Sequence, residues 1–152
     1  GVIGELIDRG EADPERVYVT GMSMGGAGTL RMLAHHGSLF AAAAPVCPSM
    51  NEETLPYLKG LGRLPIWISS AYRDTFPTRH LQIVECIEHL RAAGNQQARY
   101  TLYSAEELAA YGLGCNPSLT DEQRWSENHH SWVLTYHNSY GIMDWLLAQR
   151  RR

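Results

Sequence analysis

Apolar residues recur along this chain in two rhythms, and the alternation between them predicts its elements. Val2, Ile3, Leu6 and Ile7 repeat at helical spacing until Gly10, which predicts a first helix. Asp13-Pro14 marks a turn. Val17 to Thr20 is a short β-branched and aromatic run, read as a strand buried on both faces. From Met24 onward Ala27, Leu30, Leu33 and Ala34 share one helical face, and Gly37 follows as a stop. Phe40 to Val46 predicts a second strand, running into a loop at Cys47-Pro48. Residues 49–63 are polar and turn-like, and Pro65 to Ser70 predicts a third strand. Over 79–93 a helix is expected, with Leu81, Val84, Ile87 and Leu90 on its buried stripe and Gly94-Asn95 at its end. Tyr100 to Tyr103 predicts a fourth strand. Residues 105–131 read as a long irregular stretch, and such stretches in compact domains are usually functional or disordered. Ile142, Trp145 and Leu146 then define a final helix from about Ser139.

Strands alternating with helices predict an α/β fold, a doubly wound and mainly parallel sheet with helices on both faces. The 152 residues suit a single domain over 1–152, with no internal repeat or linker. A content of 44% hydrophobic and 19% charged residues is that of a globular chain. The net charge of -3 offers no basic field to nucleic acid or anionic lipid. No apolar run approaches the roughly 20 residues of a membrane helix. The three cysteines, Cys47, Cys86 and Cys115, form neither a disulfide framework nor a metal-ligand pattern. One bridge is still allowed, so the compartment, cytoplasmic or secreted, stays open, as does the oligomeric state.

The candidate chemistry lies where the first strand meets the second helix. Gly21-Met22-Ser23-Met24-Gly25 is a Gly-x-Ser-x-Gly sequence in the strand–turn–helix context of a nucleophile elbow. Such a serine takes a strained backbone conformation that lifts its hydroxyl above the sheet edge. The glycines two positions away let strand and helix approach. The N–H of Met24, at the helix start, faces the place where an oxyanion develops. A glycine-rich turn with an ordinary serine is the plain alternative. A phosphate loop fits poorly, because no lysine follows and the dinucleotide spacing is absent.

A serine nucleophile needs a histidine base, and usually a carboxylate to orient that base. Asp74 follows the third strand, at the end where such sheets build their sites. It could equally be a solvated carboxylate or a partner of Arg73 or Arg79, with Glu106 and Glu107 as fallback acids. Of seven histidines, His35, His36, His80, His89 and His137 are tied to helices, whereas His129 and His130 follow the last strand. No other ligand has zinc-like spacing to that pair, so no metal is expected.

The stretch Asp13 to Gly26 resembles the elbow of the α/β-hydrolase superfamily, and more narrowly its branch of esterases, polyhydroxyalkanoate depolymerases and predicted peptidases near the dienelactone hydrolases. Phe40-Ala41-Ala42-Ala43-Ala44-Pro45-Val46-Cys47 is similar to that branch's next strand, and Pro65-Ile66-Trp67-Ile68 to the strand before its acid. Ser70-Ala71-Tyr72-Arg73-Asp74 lacks the usual His-Gly but keeps the aspartate in register. His129-His130-Ser131-Trp132 resembles the family's His-x-Ser-Trp and selects His129 as base. The tail Tyr140 to Leu147 resembles its terminal helix. The resemblance implies a serine hydrolase cleaving carboxylic esters, small or polymeric, through an acyl-enzyme. Ser23, His129 and Asp74 are its expected triad and Met24 an oxyanion donor, with no cofactor. A serine peptidase of the same fold and a non-catalytic binding module remain the alternatives. It also implies that this is the C-terminal part of the fold, lacking N-terminal strands and a second oxyanion donor, so a poor catalyst when isolated.

Overall fold

The computed structural model describes residues 1–50, 58 and 61–151. Most of the stretch expected to be turn-like between residues 49 and 63 lies outside them. Among the described residues four parallel strands form one sheet in chain order: β1 (Tyr18–Met22), β2 (Ala42–Val46), β3 (Ile66–Ala71) and β4 (Ala98–Tyr103). Tyr18 stands opposite Ala42 and Met22 opposite Val46, while Ile66 to Ala71 pair in step with Ala98 to Tyr103. Parallel pairing sends every strand the same way, so all four carboxyl ends open on one edge.

The helices are α1 (Val2–Asp8), α2 (Met24–His36), α3 (Arg79–Ala92), α4 (Ala105–Ala109), α5 (Asp121–Asn128), α6 (Trp132–Tyr136) and α7 (Ile142–Ala148). The two-residue period of the strands divides the core. Val17, Val19, Ala43, Ile66, Ile68 and Leu102 face Leu30 and Leu33 of α2 and Ile83, Ile87 and Leu90 of α3. Their neighbours Tyr18, Ala42, Ala44, Trp67 and Tyr103 face Leu108, Leu134, Ile142 and Leu146 of α4, α6 and α7. The sheet is therefore covered on both faces, as the alternation of elements predicts. No helix among the described residues is long and apolar enough to cross a membrane.

Three expectations need correction. β1 is not buried on both faces: its residues are half-buried or exposed, because it pairs with β2 alone among the described strands. The buried stripe of α3 is Arg79, Ile83, Cys86, Ile87 and Leu90, while Leu81 is 59% exposed. The helix is turned so that its first residue points inward. Residues 105–131 are not irregular, since they hold α4 and α5. Each starts with a capping box, Ser104 with Glu107 and Thr120 with Gln123, in which side chains satisfy the first-turn N–H groups. Both helices are short and polar, which hides them from a search for apolar periodicity.

Candidate active site

Ser23 sits at the joint between β1 and α2 with φ 53° and ψ −115°, a region that L-residues rarely adopt. Two hydrogen bonds hold it there: its N–H donates to the Val46 carbonyl at 2.9 Å, and its own carbonyl accepts from Ala27 at 3.0 Å. Tight packing explains two glycines, but not the two that the motif names. A Cβ on Gly21 would lie 2.4 Å from the Gly25 carbonyl oxygen, and one on Gly26 would lie 2.6 Å from that of Val46. A Cβ on Gly25 meets nothing within 4 Å, which corrects the expectation that both flanking glycines must be small. Met24 opens α2, so its N–H belongs to the first turn that a helix leaves without an internal acceptor.

Asp74 lies just beyond β3 and is 1% exposed. His129 is not in a loop after the last strand, as expected, but on a tight turn (His129–Ser131) that follows α5 directly. Its Nε2 is 2.8 Å from Ser23 Oγ, and its Nδ1 is 3.0 Å and 3.1 Å from the two oxygens of Asp74. Three residues far apart in sequence thus form a continuous chain from hydroxyl to imidazole to carboxylate. The His129 carbonyl accepts from the Cys47 thiol at 3.6 Å. Cys47 itself is buried at a positive φ of 37°, and burial pushes its thiol up to about 11. Behind this turn, the Thr135 hydroxyl meets Ser69 Oγ at 2.8 Å and the Tyr103 hydroxyl at 2.9 Å.

The remaining candidates lie elsewhere. His130 is exposed and packs on Trp132, with ring centres 4.6 Å apart. Glu107 closes the α4 capping box, and Glu106 lies in the same first turn. His35 and His36 end α2, His80 and His89 ride on α3, and His137 follows α6. Among the described residues no three His, Cys, Asp or Glu side chains gather as a metal-holding group.

Sequence reasoning weighs Arg79 only as a rival use for Asp74, whereas the structure gives Asp74 both partners at once. Arg79 Nη1 donates to Asp74 Oδ2 at 2.7 Å and lies 2.8 Å from His129 Nδ1. A signal was present: an arginine in the first turn of a helix works against the helix dipole, so it calls for a nearby anion. Burial on its own would raise the Asp74 pKa. The hydrogen bond from His129 and the charge of Arg79 outweigh it, and the carboxyl sits below its ordinary value.

The chain has relatives among known proteins. The chain is 30% identical to a thermostable esterase of known structure, with a TM-score of 0.73, over 99% of this chain and 35% of that one. It is 32% identical over 130 residues to the putative esterase NocK of Nocardia uniformis subsp. tsuyamanensis, covering 83% of this chain and 35% of that protein. The chain belongs to the α/β-hydrolase superfamily. Residues 1–75 of the chain also match the prolyl oligopeptidase family. The acylaminoacyl peptidase of Pyrococcus horikoshii shares its fold, with a TM-score of 0.52 at 16% identity over 91% of this chain and 26% of that one. The chain thus spans about a third of the length of both esterases.

Proposed function

We propose that the chain carries the hydrolytic centre of a serine esterase that cleaves carboxylic esters. Ser23 Oγ attacks the ester carbonyl carbon while His129 Nε2 takes the hydroxyl proton. The Met24 N–H donates to the oxyanion of the tetrahedral intermediate. His129 returns the proton to the leaving alcohol oxygen, and an acyl group remains on Ser23. Water, deprotonated by the same nitrogen, then releases the acid and restores the serine. Asp74 accepts from Nδ1 throughout, which leaves Nε2 free to act as base. The reaction calls on no metal or organic cofactor.

The observation that carries this reading is the 2.8 Å approach of Nε2 to the hydroxyl of a serine in a strained elbow. Esters are favoured over peptides because two relatives at 30% identity or more are named an esterase and a putative esterase. The match of residues 1–75 to the prolyl oligopeptidase family supports a peptidase as the second reading. A fluorophosphonate probe tests the centre: labelling at Ser23, lost in Ser23→Ala, is expected. No labelling of the folded protein favours a binding module instead. Hydrolysis of p-nitrophenyl esters faster than of aminoacyl p-nitroanilides separates esterase from peptidase.

A further inference from the structure

The geometry of Asp74 gives Arg79 a part in the site. Among the described residues, the hydrogen bonds of Asp74 come from side chains: Ser70 Oγ at 3.3 Å, Arg79 Nη1 at 2.7 Å and His129 Nδ1 at 3.0 Å. The arginine is the short one and the one with a fixed charge. Its guanidinium is 1% exposed, and its Cζ lies 4.8 Å above the Phe76 ring, so it has little room to swing away.

We propose that Arg79 is a positioning residue that acts through Asp74, gripping Oδ2 so that the carboxylate keeps its charge and its plane and presents Oδ1 to His129 Nδ1. This rests on the esterase reading for its consequence in catalysis, though not for its electrostatics. Nη1 touches both Oδ2 and Nδ1, so its hydrogens are contested. A protonated Nδ1 cannot accept from Nη1. With the Nδ1 proton directed at Asp74, which it meets at 3.0 Å on Oδ1 and 3.1 Å on Oδ2, the arginine is confined to Oδ2. Removing the guanidinium leaves a buried carboxylate with Ser70 and His129 alone, and burial then favours its protonated form. The groups that face this carboxylate are Ser70 from β3, Arg79 from α3 and His129 from the turn after α5. Cys47 at the end of β2 lies within its electrostatic reach.

The test is a carbon-13 titration of the Asp74 carboxyl by NMR in the wild type, Arg79→Met and Arg79→Lys, with a pH profile of p-nitrophenyl ester turnover beside it. In Arg79→Met the Asp74 midpoint rises by about one pH unit or more. Turnover of p-nitrophenyl esters falls about tenfold, with kcat carrying the loss, because a carboxylate that is no longer gripped orients Nδ1 less well. KM is unchanged, since Arg79 does not touch substrate. Arg79→Lys restores the charge and most of the midpoint. An unmoved Asp74 midpoint in folded Arg79→Met overturns the proposal, because a residue that only packs lowers stability without moving a titration. If both variants fail to fold, nitrogen-15 spectra of the wild type decide: slow guanidinium rotation supports the grip, and fast averaging overturns it. A wild type that neither turns over esters nor labels at Ser23 refutes the esterase reading, while the carboxyl titration still judges Arg79.

Discussion

The two faces of the sheet are built by different means. Beneath α2 and α3 the filling is aliphatic: Leu30, Leu33, Ile66, Ile68, Ile83 and Ile87 are at most 2% exposed. Beneath α4, α6 and α7 the strands present, beside Trp67, mainly small or hydroxyl-bearing residues. Ala42 and Ala44 let the helices come close, and a buried chain of hydroxyls runs from Ser69 through Thr135 to Tyr103. Aliphatic packing is strong but tolerates small rotations, since it has no preferred direction. Hydrogen bonds between buried hydroxyls have direction and are costly to leave unmade. The face that uses them is also the face from which His129 reaches Ser23. Stability and registration are thus assigned to opposite sides of one sheet.

Four measurements put this contrast to the test. Ser23 lies at the joint between the faces and belongs to neither. Ser23→Ala is expected to reduce ester turnover by about 10⁵–10⁶-fold while the urea midpoint barely moves. Retained turnover removes Ser23 as nucleophile. Next in size, Leu30→Ala on the aliphatic face should cost about 2–5 kcal/mol of unfolding free energy, with turnover per folded molecule unchanged. Thr135→Val on the other face should cost about 1–3 kcal/mol, because Ser69 and Tyr103 each lose a partner. It should also lower turnover per folded molecule, since α6 continues directly from the turn that holds His129. Equal turnover in these two variants dissolves the division of labour.

The two glycines of the elbow motif give the third measurement. Gly21→Ala forces a Cβ against the Gly25 carbonyl and should destabilise by about 1–3 kcal/mol. Gly25→Ala adds a Cβ into open space within a helix and should stabilise by about 0.5–1 kcal/mol. A loss in both places contradicts this packing. The fourth concerns acid. Asp74 has a lowered pKa when folded, so its contribution is fully present above the unfolded carboxylate value of about 3.9 and is lost as pH falls through the folded value. The urea midpoint should therefore fall with pH in this acid range, less steeply in Asp74→Asn.

Much of this is legible in the sequence because it is local. The elbow is written in consecutive residues, and the four strands stand out as short apolar runs between turn signals. Periodicity places helix α3 correctly but turns it wrongly. Its apolar residues allow a stripe through Leu81 and Val84 as well as one through Ile83 and Cys86, and the fold buries the second, with Arg79 against Asp74. Helices α4 and α5 are legible in principle from their capping boxes, though not from apolar rhythm. The meeting of Asp74 with His129 and Arg79 is tertiary, since no local pattern states that one carboxylate serves two partners. The choice of His129 over His130 comes from family register alone.

The strands lie in chain order, so the sheet can grow by adding each to its predecessor. The hydrogen bond between Ser23 and His129, by contrast, spans 106 residues. Contacts that close long stretches of chain carry a larger entropic cost and form late. A refolding chain should therefore pass through a stage with a formed sheet and a serine whose base has not yet arrived. Fluorophosphonate labelling at Ser23 is then expected to lag behind far-ultraviolet circular dichroism during refolding, and simultaneous recovery would contradict this order. On the proposed reading, a serine on an unfinished chain stays an ordinary alcohol, and it becomes a nucleophile only when the last turns have docked.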